Sequence, residues 1–227
     1  MLVKNWMSAP PITIDMNDSM QDAINLIREN SINMLPVINK QRLVGVVTDG
    51  DLKRASASDA TTLEIHELLY LITKIKIKDI MTKDPITVLP DFSVEETAEV
   101  LLKNRISGVP VMDVKGLVLG VITQNDLFRV LISLTGVEKK GVQFAFLIED
   151  RSGSIKTIAD VIRDYDGRVV SILTSYDQAP AGYRRLYIRA YQIDREKLPQ
   201  LQKDLKAKAT MLYMVDHRED KREIYSQ

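Results

Sequence analysis

Apolar residues in the first third of the chain change from a helical period to continuous runs. Between residues 20 and 27 they recur at steps of three and four, which places them in one buried stripe. This stripe predicts a helix that runs to Asn30, with Asp18 or Ser19 as its cap. The apolar runs around the helix predict strands at residues 12–14, 36–38 and 43–47, the last two joined by a polar turn.

The same succession of elements occurs a second time. Met7-Ser8 recurs 74 positions later as Met81-Thr82, and Gly45-Val46-Val47-Thr48 recurs 75 positions later as Gly120-Val121-Ile122-Thr123. The copies therefore differ by one residue, which falls in the turn around Lys115-Gly116. Ser93 is the predicted helix cap of the second copy. A duplicated unit implies a pseudo-twofold pair with two equivalent clefts where the halves meet.

The remaining residues have a different pattern. A loop is predicted at 55–62, a packed helix and connector at 63–77, and a charged linker at 138–141. The last part of the chain alternates strand and helix signals in the order βαββαβ, which predicts a sheet with helices on one face. The predicted domains are residues 1–76, 77–138 and 139–227, and the predicted strands of the third are 142–148, 169–174, 186–191 and 211–215.

Composition narrows the class of protein. The chain has 227 residues, of which 45% are hydrophobic and 27% charged, as in an ordinary globular protein. The absence of cysteine excludes disulfides, thiol catalysis and thiolate metal sites. No apolar run approaches the ~20 residues that span a bilayer, and no signal-peptide pattern is present, so we expect a cytoplasmic protein.

Charge indicates little about the binding partner. The net charge is zero, with a slightly acidic first part and a slightly basic part from residue 139 onward. The basic excess is compatible with an anionic partner or with ordinary solvated surface. No dense basic stripe is present, so nucleic acid is not an expected partner.

The strongest candidate for chemistry is a duplicated Thr-x-x-Asp motif. Thr48-x-x-Asp51 and Thr123-x-x-Asp126 each stand where an apolar strand ends and a helix begins. Such a junction exposes backbone N–H groups and the positive end of a helix dipole. The carboxylate can accept hydrogen bonds from the two vicinal hydroxyls of a ribose. Thr and Asp are also good helix caps, but two copies at matched positions favour a binding function.

These motifs together resemble those of a known family. Paired Met-(Ser/Thr)…Pro-Ile-Thr segments, an apolar-Pro-Val strand and Gly-(apolar)-(apolar)-Thr-x-x-Asp are similar to cystathionine-β-synthase (CBS) domains in a tandem Bateman module. The resemblance covers about 130 residues and implies binding of AMP, ADP, ATP or S-adenosylmethionine in clefts between the repeats, with no cofactor required. It implies that Asp51 and Asp126 hold ribose, and that Thr48 and Thr123 hold ribose or phosphate.

The resemblance also implies which residues line the base pockets. Basic residues, which often precede the apolar-Pro pair in phosphate-binding relatives, are replaced here by Asn33-Met34 and Ser107-Gly108. Arg54 and Arg129 are the remaining phosphate candidates, unless they are solvent-facing helix arginines. The base pockets would be lined by Thr13, Thr87 and the strand segments Met34, Leu35, Pro36, Gly108, Val109 and Pro110.

The last part of the chain resembles an ACT domain, a ferredoxin-like regulatory module that usually dimerises and often binds an amino acid. The resemblance rests on the βαββαβ order, the turn Asp150-Arg151-Ser152-Gly153 and Gly167. Asp150 and Gly153 would contact an amino acid, or Gly153 merely permits a tight turn. The order of modules and the segment from Asp51 to Ser56 resemble AcuB-type proteins of acetoin utilisation.

The sequence offers no catalytic constellation. His66 and His217 lack metal-ligand spacing, and neither Walker loop nor GxGxxG occurs. We therefore expect a non-catalytic, metal-free regulatory protein whose downstream target the sequence does not name, or else a scaffold with empty CBS pockets. A homodimer is predicted from two apolar surfaces, one on the last sheet (Phe144, Phe146, Leu186, Ile188, Met211, Tyr213) and one on the connector (Leu68, Leu69, Leu71, Ile72).

Overall fold

The chain has a mixed α/β fold. The computed structural model describes residues 1–59 and 72–225, which divide into two units between Phe128 and Arg129. None of the helices in this described part has the length and apolar character needed to cross a bilayer.

The first unit holds the two repeats. Its helices are α1 Met20–Asn30, α2 Asp49–Asp59, α3 Ile77–Ile80 and α4 Val94–Asn104, and α5 Gln124–Thr135 begins in this unit and ends in the second. Its strands are β1 Ile14–Asp15, β2 Met34–Asn39, β3 Arg42–Thr48, β4 Thr82–Lys83, β5 Gly108–Met112 and β6 Val118–Thr123.

The start of α1 and the start of α4 are fixed by the same local chemistry. Ser19 accepts a hydrogen bond from the Asp22 N–H, and the Asp22 carboxylate accepts one from the Ser19 N–H. Ser93 and Glu96 form the same capping box at α4. Hydrogen bonds donated by the Ser19 hydroxyl and N–H lower the pKa of the Asp22 carboxyl group, and those from the Ser93 N–H and hydroxyl lower the pKa of Glu96. Ser19 and Ser93 are thereby confirmed as the predicted caps.

Two boundaries differ from the prediction. Residues 55–59 belong to α2 rather than to a loop, because Ala and Ser continue the helix and the Ser56 hydroxyl donates to the Leu52 carbonyl oxygen at 3.0 Å. The first strand is only β1 Ile14–Asp15, which pairs in parallel with β2. The predicted connector helix lies largely outside the described residues, as do Leu68, Leu69 and Leu71. Ile72 is only 8% exposed and packs in the first core, so it offers no surface for a dimer.

Each repeat completes its sheet and core with residues from the beginning of the other repeat. β4, at the beginning of the second repeat, pairs with β3 of the first, with Val46 opposite Thr82. Ser8, at the beginning of the first repeat, forms the matching bridge to Val121 in β6 of the second. Ile77 is likewise fully buried in the core of the first repeat. Val3 is fully buried in the core of the second, with Val88, Leu101, Val109, Val111 and Ile122.

Two glycines make this exchange possible. A Cβ on Gly45 would lie 2.7 Å from the Met81 Sδ and 2.8 Å from the Thr82 carbonyl oxygen. A Cβ on Gly120 would lie 2.6 Å from the Ser8 carbonyl oxygen. The glycine of each repeat therefore contacts the Met-(Ser/Thr) pair of the other repeat. We call this reciprocal packing the crosswise contact.

The second unit is an antiparallel sheet covered by two helices. Its strands are β7 Val142–Glu149, β8 Arg168–Ser175, β9 Tyr183–Tyr191, β10 Thr210–Asp216 and β11 Lys221–Ile224, in the spatial order β11-β10-β7-β9-β8. Helix α6 Ser154–Asp164 follows β7, and α7 Leu198–Lys206 precedes β10. The elements thus follow in the predicted βαββαβ order, and β11 adds an unpredicted hairpin.

The apolar strand residues in this sheet do not form the predicted uncovered face. Phe144, Phe146, Leu186 and Ile188 are fully buried, and Met211 is 5% exposed. They pack in one core with Ile158, Ile162 and Leu201 of the two helices. Two amphipathic helices are therefore enough to cover them. Tyr213 alone of the predicted set lies outside this core, because it is in register with Ala145, whose side chain points to the other face.

Candidate functional site

The first Thr-x-x-Asp motif forms a capping box at the junction of β3 and α2. The Thr48 N–H and hydroxyl both donate to Asp51 Oδ2, at 2.9 and 2.6 Å, and the Asp51 N–H donates to the Thr48 hydroxyl oxygen at 3.3 Å. The second oxygen, Oδ1, pairs with the Arg54 guanidinium. The Asp51 side chain is 10% exposed and that of Arg54 79% exposed. Arg54 therefore neutralises Asp51 while most of its own surface faces solvent.

The second motif repeats this geometry between β6 and α5. The Thr123 N–H donates to Asp126 Oδ2 at 2.8 Å and the Thr123 hydroxyl donates to the same oxygen at 2.7 Å. Asp126 is only 2% exposed, so its carboxylate is buried at the start of α5. Arg129 lies on the exposed side of the same helix. A buried carboxylate held by two donors is a fixed acceptor.

β2 and β5 begin beside the two motifs, because each pairs with the strand that ends in the Thr of the motif. Met34 in β2 is opposite Thr48, and Gly108 in β5 is opposite Thr123. The Asp49 N–H donates to the Asn33 carbonyl oxygen at 3.1 Å, and the Gln124 N–H makes the matched bond to Ser107 at 2.9 Å. Backbone at the start of each strand is thus tied to the first turn of the helix.

The two halves meet at this point. A Cβ on Gly108 would lie 3.2 Å from the Met34 Cε and 3.0 Å from the Thr123 Cγ2. Met34 of the first repeat therefore reaches the strand end that carries the second motif. A side chain at Gly108 would crowd both neighbours, so the contact between the repeats depends on a residue without one.

The other predicted residues lie in the neighbouring strands. Thr13 precedes Ile14, which is in register with Val37 in β2, and Thr87 precedes Val88, which bridges to Val111 in β5. Leu35, Pro36, Val109 and Pro110 are buried residues of β2 and β5. The structure thus brings both sets of predicted residues to equivalent strand ends.

The predicted amino-acid position lies at the end of β7. The Asp150 N–H donates to the Gly182 carbonyl oxygen at 2.9 Å, and the Asp150 carboxylate lies 3.4 Å from the Arg184 Nε. Gly153 has φ = +86°, and nothing lies within 4 Å of a Cβ built on it. Its left-handed backbone, rather than any close neighbour, is what requires glycine here.

Metal chemistry has no candidate site in residues 1–59 and 72–225. No three His, Asp or Glu side chains gather there into a group that could hold an ion. His66 lies outside the described residues. His217 follows β10, at the beginning of the β10–β11 hairpin.

The crosswise contact was also missed in the sequence. The sequence places Met7 and Met81 at the beginning of their own repeats, whereas Met81 packs with the first core and Met7 with the second. The signal available was the strict pairing of each Met-(Ser/Thr) with a glycine that begins the Gly-Val-(Val/Ile)-Thr strand.

Known proteins are similar to the part of the chain that holds the two repeats. A family model described as CBS domain matches residues 3–58 and 77–133. An uncharacterized protein of Methanocaldococcus jannaschii is 30% identical over 155 residues, which are 58% of this chain and 92% of that protein. A CBS domain-containing protein of Dictyostelium discoideum is 35% identical over 135 residues, which are 59% of this chain and 92% of that protein.

Solved structures match over the same share of the chain. The CBS domain pair of protein MJ0100, in complex with 5′-methylthioadenosine and S-adenosyl-L-methionine, is 34% identical with a TM-score of 0.50, over 58% of this chain and 95% of that one. A structure described as an acetoin utilization protein (AcuB) from Vibrio cholerae is 24% identical with a TM-score of 0.51, over 61% of this chain and 96% of that one. The second match supports the fold alone.

Proposed function

Because the chain belongs to the CBS-domain family, we propose that it is a non-catalytic regulatory protein that binds an adenosine-containing ligand between its two repeats. The observation that carries this proposal is the pair of matched junctions, in which Thr48 with Asp51 and Thr123 with Asp126 stand at equivalent strand ends. The related domain pair with methylthioadenosine and S-adenosylmethionine supports the same ligand class.

The carboxylates can take the ribose role without leaving their caps. In each motif the Thr donors occupy Oδ2. A carboxylate has about four lone-pair sites, and Thr48 and Arg54 together use three of those of Asp51, so one is left for a ribose hydroxyl unless Arg54 moves aside. Arg54 already offsets the Asp51 charge. We infer that a ligand with few or no phosphates, such as S-adenosylmethionine or methylthioadenosine, fits the first site better than ATP.

Ligand binding would regulate by shifting a population of conformers. A ligand that contacts both repeats favours the arrangement in which its contacts are complete, and it shifts the equilibrium by its difference in affinity. The contact of Met34 with Gly108 lies between the two motifs and is the place where such a difference would act.

The test is a binding measurement on matched variants. Asp126→Asn keeps an oxygen that can cap α5 but loses the negative charge, and Asp51→Asn does the same at α2. Glu96→Gln removes a charge from a capping box of the same kind at α4, away from the motifs. Calorimetric titration with S-adenosylmethionine, methylthioadenosine, AMP and ATP should show at least tenfold weaker binding in Asp51→Asn or Asp126→Asn and unchanged binding in Glu96→Gln.

Ligand binding should also raise the free energy of unfolding. Ligand at one hundred times its dissociation constant adds about 2.7 kcal/mol to the free energy of unfolding. If none of the four compounds binds the wild-type chain, the sensing function is wrong. A scaffold is then the remaining candidate, and the capping bonds of Asp51 and Asp126 are the observation that favours it, since they explain both motifs without a ligand.

For the second unit we propose a ferredoxin-like ACT domain that dimerises or senses an amino acid near Asp150 and Gly153. The βαββαβ order and the open space above Gly153 support it. Dimerisation is also supported by exposed apolar residues in the part of α5 that belongs to this unit, namely Leu131, Ile132 and Leu134. Titration with the twenty amino acids, compared between wild type and Gly153→Ala, tests the ligand role.

A link to acetoin utilisation rests on the order of the modules and on the segment from Asp51 to Ser56. Growth of the source organism on acetoin, with and without the gene, tests it. Unchanged growth after deletion would remove this part of the proposal.

A further inference from the structure

One arginine of the second unit lies in a row of side chains on the sheet face away from the helices. Arg189 in β9 is opposite Gln143 in β7 and Ser171 in β8. Its neighbours along the strand, Ile188 and Ala190, point the other way into the core under the helices. The row continues through Val215 in β10 to Arg222 in β11.

Arg189 is enclosed although it lies on this face. The residue is 5% exposed. The chain from Thr135 to Gly141 runs over it: the Ser171 hydroxyl donates to the Thr135 carbonyl oxygen at 3.0 Å, and a Cβ on Gly136 would lie 4.0 Å from the Arg189 Cδ. The guanidinium is thus covered by a segment that is itself bonded to the sheet.

The enclosed guanidinium lacks an anionic partner in the described part of the chain. Its Nη2 donates to the neutral Gln143 Oε1 at 2.7 Å, whereas Nε and Nη1 are buried and have no hydrogen-bond partner there. Burial lowers the pKa of Arg189, and the opposing influence comes from the Tyr213 hydroxyl rather than from a carboxylate. A buried charge without a counter-charge is costly, which makes this position unusual.

A second unsatisfied group lies at the end of the segment that covers Arg189, where the His217 N–H donates to the Gly141 carbonyl oxygen at 3.1 Å. His217 Nε2 is buried and has no hydrogen-bond partner among the described residues. Burial lowers the pKa of His217, and the charges of Arg189 and Arg222 lower it further, against smaller opposing effects of Asp216 and Asp220. Asp216 is already committed to Arg195, at 2.7 Å. Arg189 therefore has two unpaired N–H groups to offer, and the His217 Nε2 donates as well in the tautomer that carries its proton there.

We propose that Arg189 and His217 form a binding site for a compact oxyanion, a carboxylate or a phosphate group. Such an ion would accept from Arg189 Nε or Nη1 and from His217 Nε2, which satisfies the orphaned donors and neutralises the buried charge. The site is distinct from the amino-acid position at Asp150, which lies seven residues along from Gln143 at the other end of β7, about 24 Å away at ~3.4 Å per residue.

The test is thermal unfolding of the full chain in low-salt buffer with sodium phosphate, sodium acetate, or sodium chloride at matched ionic strength. Phosphate or acetate should raise the melting temperature by a few degrees in a saturable manner, and chloride should not. A response to phosphate alone indicates a phosphate-bearing ligand, and a response to acetate alone indicates a carboxylate.

Variants separate binding from structure. Arg189→Met should melt at a higher temperature than wild type without oxyanion, since it removes a buried unpaired charge, and should lose the phosphate or acetate response. His217→Gln should weaken that response. Arg184→Met is the matched control, because Arg184 lies on the same strand at 18% side-chain exposure but has Asp150 as a carboxylate partner. It should melt lower than wild type and keep the response.

Three results would overturn the site. They are no response to either oxyanion, an equal response to chloride, and a full response retained in Arg189→Met. Each of them leaves adenosine binding by the first unit unaffected, so failure here is distinguishable from failure of the proposed function.

Discussion

Replacement of Gly120 by alanine tests the crosswise packing of the two repeats. An added Cβ would lie 2.6 Å from the Ser8 carbonyl oxygen and 2.9 Å from the Met7 Sδ. The Met7 side chain is flexible and can move aside. The Ser8 carbonyl oxygen cannot, because it accepts from the Val121 N–H at 3.1 Å while the Ser8 N–H donates to the Val121 carbonyl oxygen at 2.9 Å.

The expected cost follows from these contacts. Overpacking that forces backbone to shift costs about 1–3 kcal/mol. Alanine recovers about 0.4–1 kcal/mol by restricting the unfolded chain. We therefore expect Gly120→Ala to lose about 1–2 kcal/mol of unfolding free energy, and Gly45→Ala to lose a similar amount against the Thr82 carbonyl oxygen at 2.8 Å. For a chain of 227 residues this corresponds to roughly 2–8 °C in melting temperature.

The assay is urea unfolding followed by circular dichroism, with thermal melting as a second measure. Gly50→Ala is the matched control, since a Cβ there meets only the Thr48 Oγ1 at an ordinary 3.6 Å. It lies in the first turn of α2, where alanine is the better helix former, so it should be neutral or slightly stabilising. If Gly45→Ala and Gly120→Ala are both as stable as Gly50→Ala, the crosswise packing is wrong.

Three further predictions concern the second unit and the assembly. Desolvation by burial tends to raise the pKa of Asp216, but hydrogen bonds from Arg195 and from the Arg218 N–H outweigh it and hold that pKa below its usual value. Stability contributed by this carboxylate is therefore complete above pH ~4 and is lost as the pH falls through the lower folded-state pKa, so an acid titration of unfolding free energy should be flatter in Asp216→Asn. Gly153→Ala should cost about 1–2 kcal/mol by denaturant melting, because φ is +86° there; an unchanged midpoint would contradict the left-handed turn. Light scattering at micromolar concentration should give twice the 25.7 kDa of one chain, with Leu131→Asp shifting the mass downward; a wild-type mass near 25.7 kDa would exclude the dimer.

The sequence predicts those elements whose signals are local. Ser19 and Ser93 cap their helices by bonds to residues three positions away, so a short pattern is enough to locate both helix starts. The apolar strands of the second unit were found in the same way. β11 was missed, because a four-residue edge strand of mostly charged residues carries no apolar period.

Pairing between distant segments is what the sequence does not reveal. Nothing local to Met7 states that it packs on Gly120, more than 100 positions away. Arg189 is a similar case. Its sequence neighbours are those of an ordinary strand with one buried face, and its enclosure arises only because the segment from Thr135 to Gly141 crosses the other face. The Thr-x-x-Asp motifs were recognised because they occur twice, and their double use as caps became evident only from the bonds to Asp51 and Asp126.

The exchange of segments between the repeats affects how the chain folds during its synthesis. Val3 leaves the ribosome more than 100 residues before its buried partners Val109 and Ile122, which are among the last residues of the first unit to be synthesised. The first repeat in turn cannot close its core until Ile77 has emerged. Neither half can therefore finish folding during its own synthesis, because the segment around Val3 must wait for core residues that are synthesised more than 100 positions later. Closing so long a loop is slow relative to local contacts, so the two halves should reach their native state together, in one late step, rather than in the order in which they are translated.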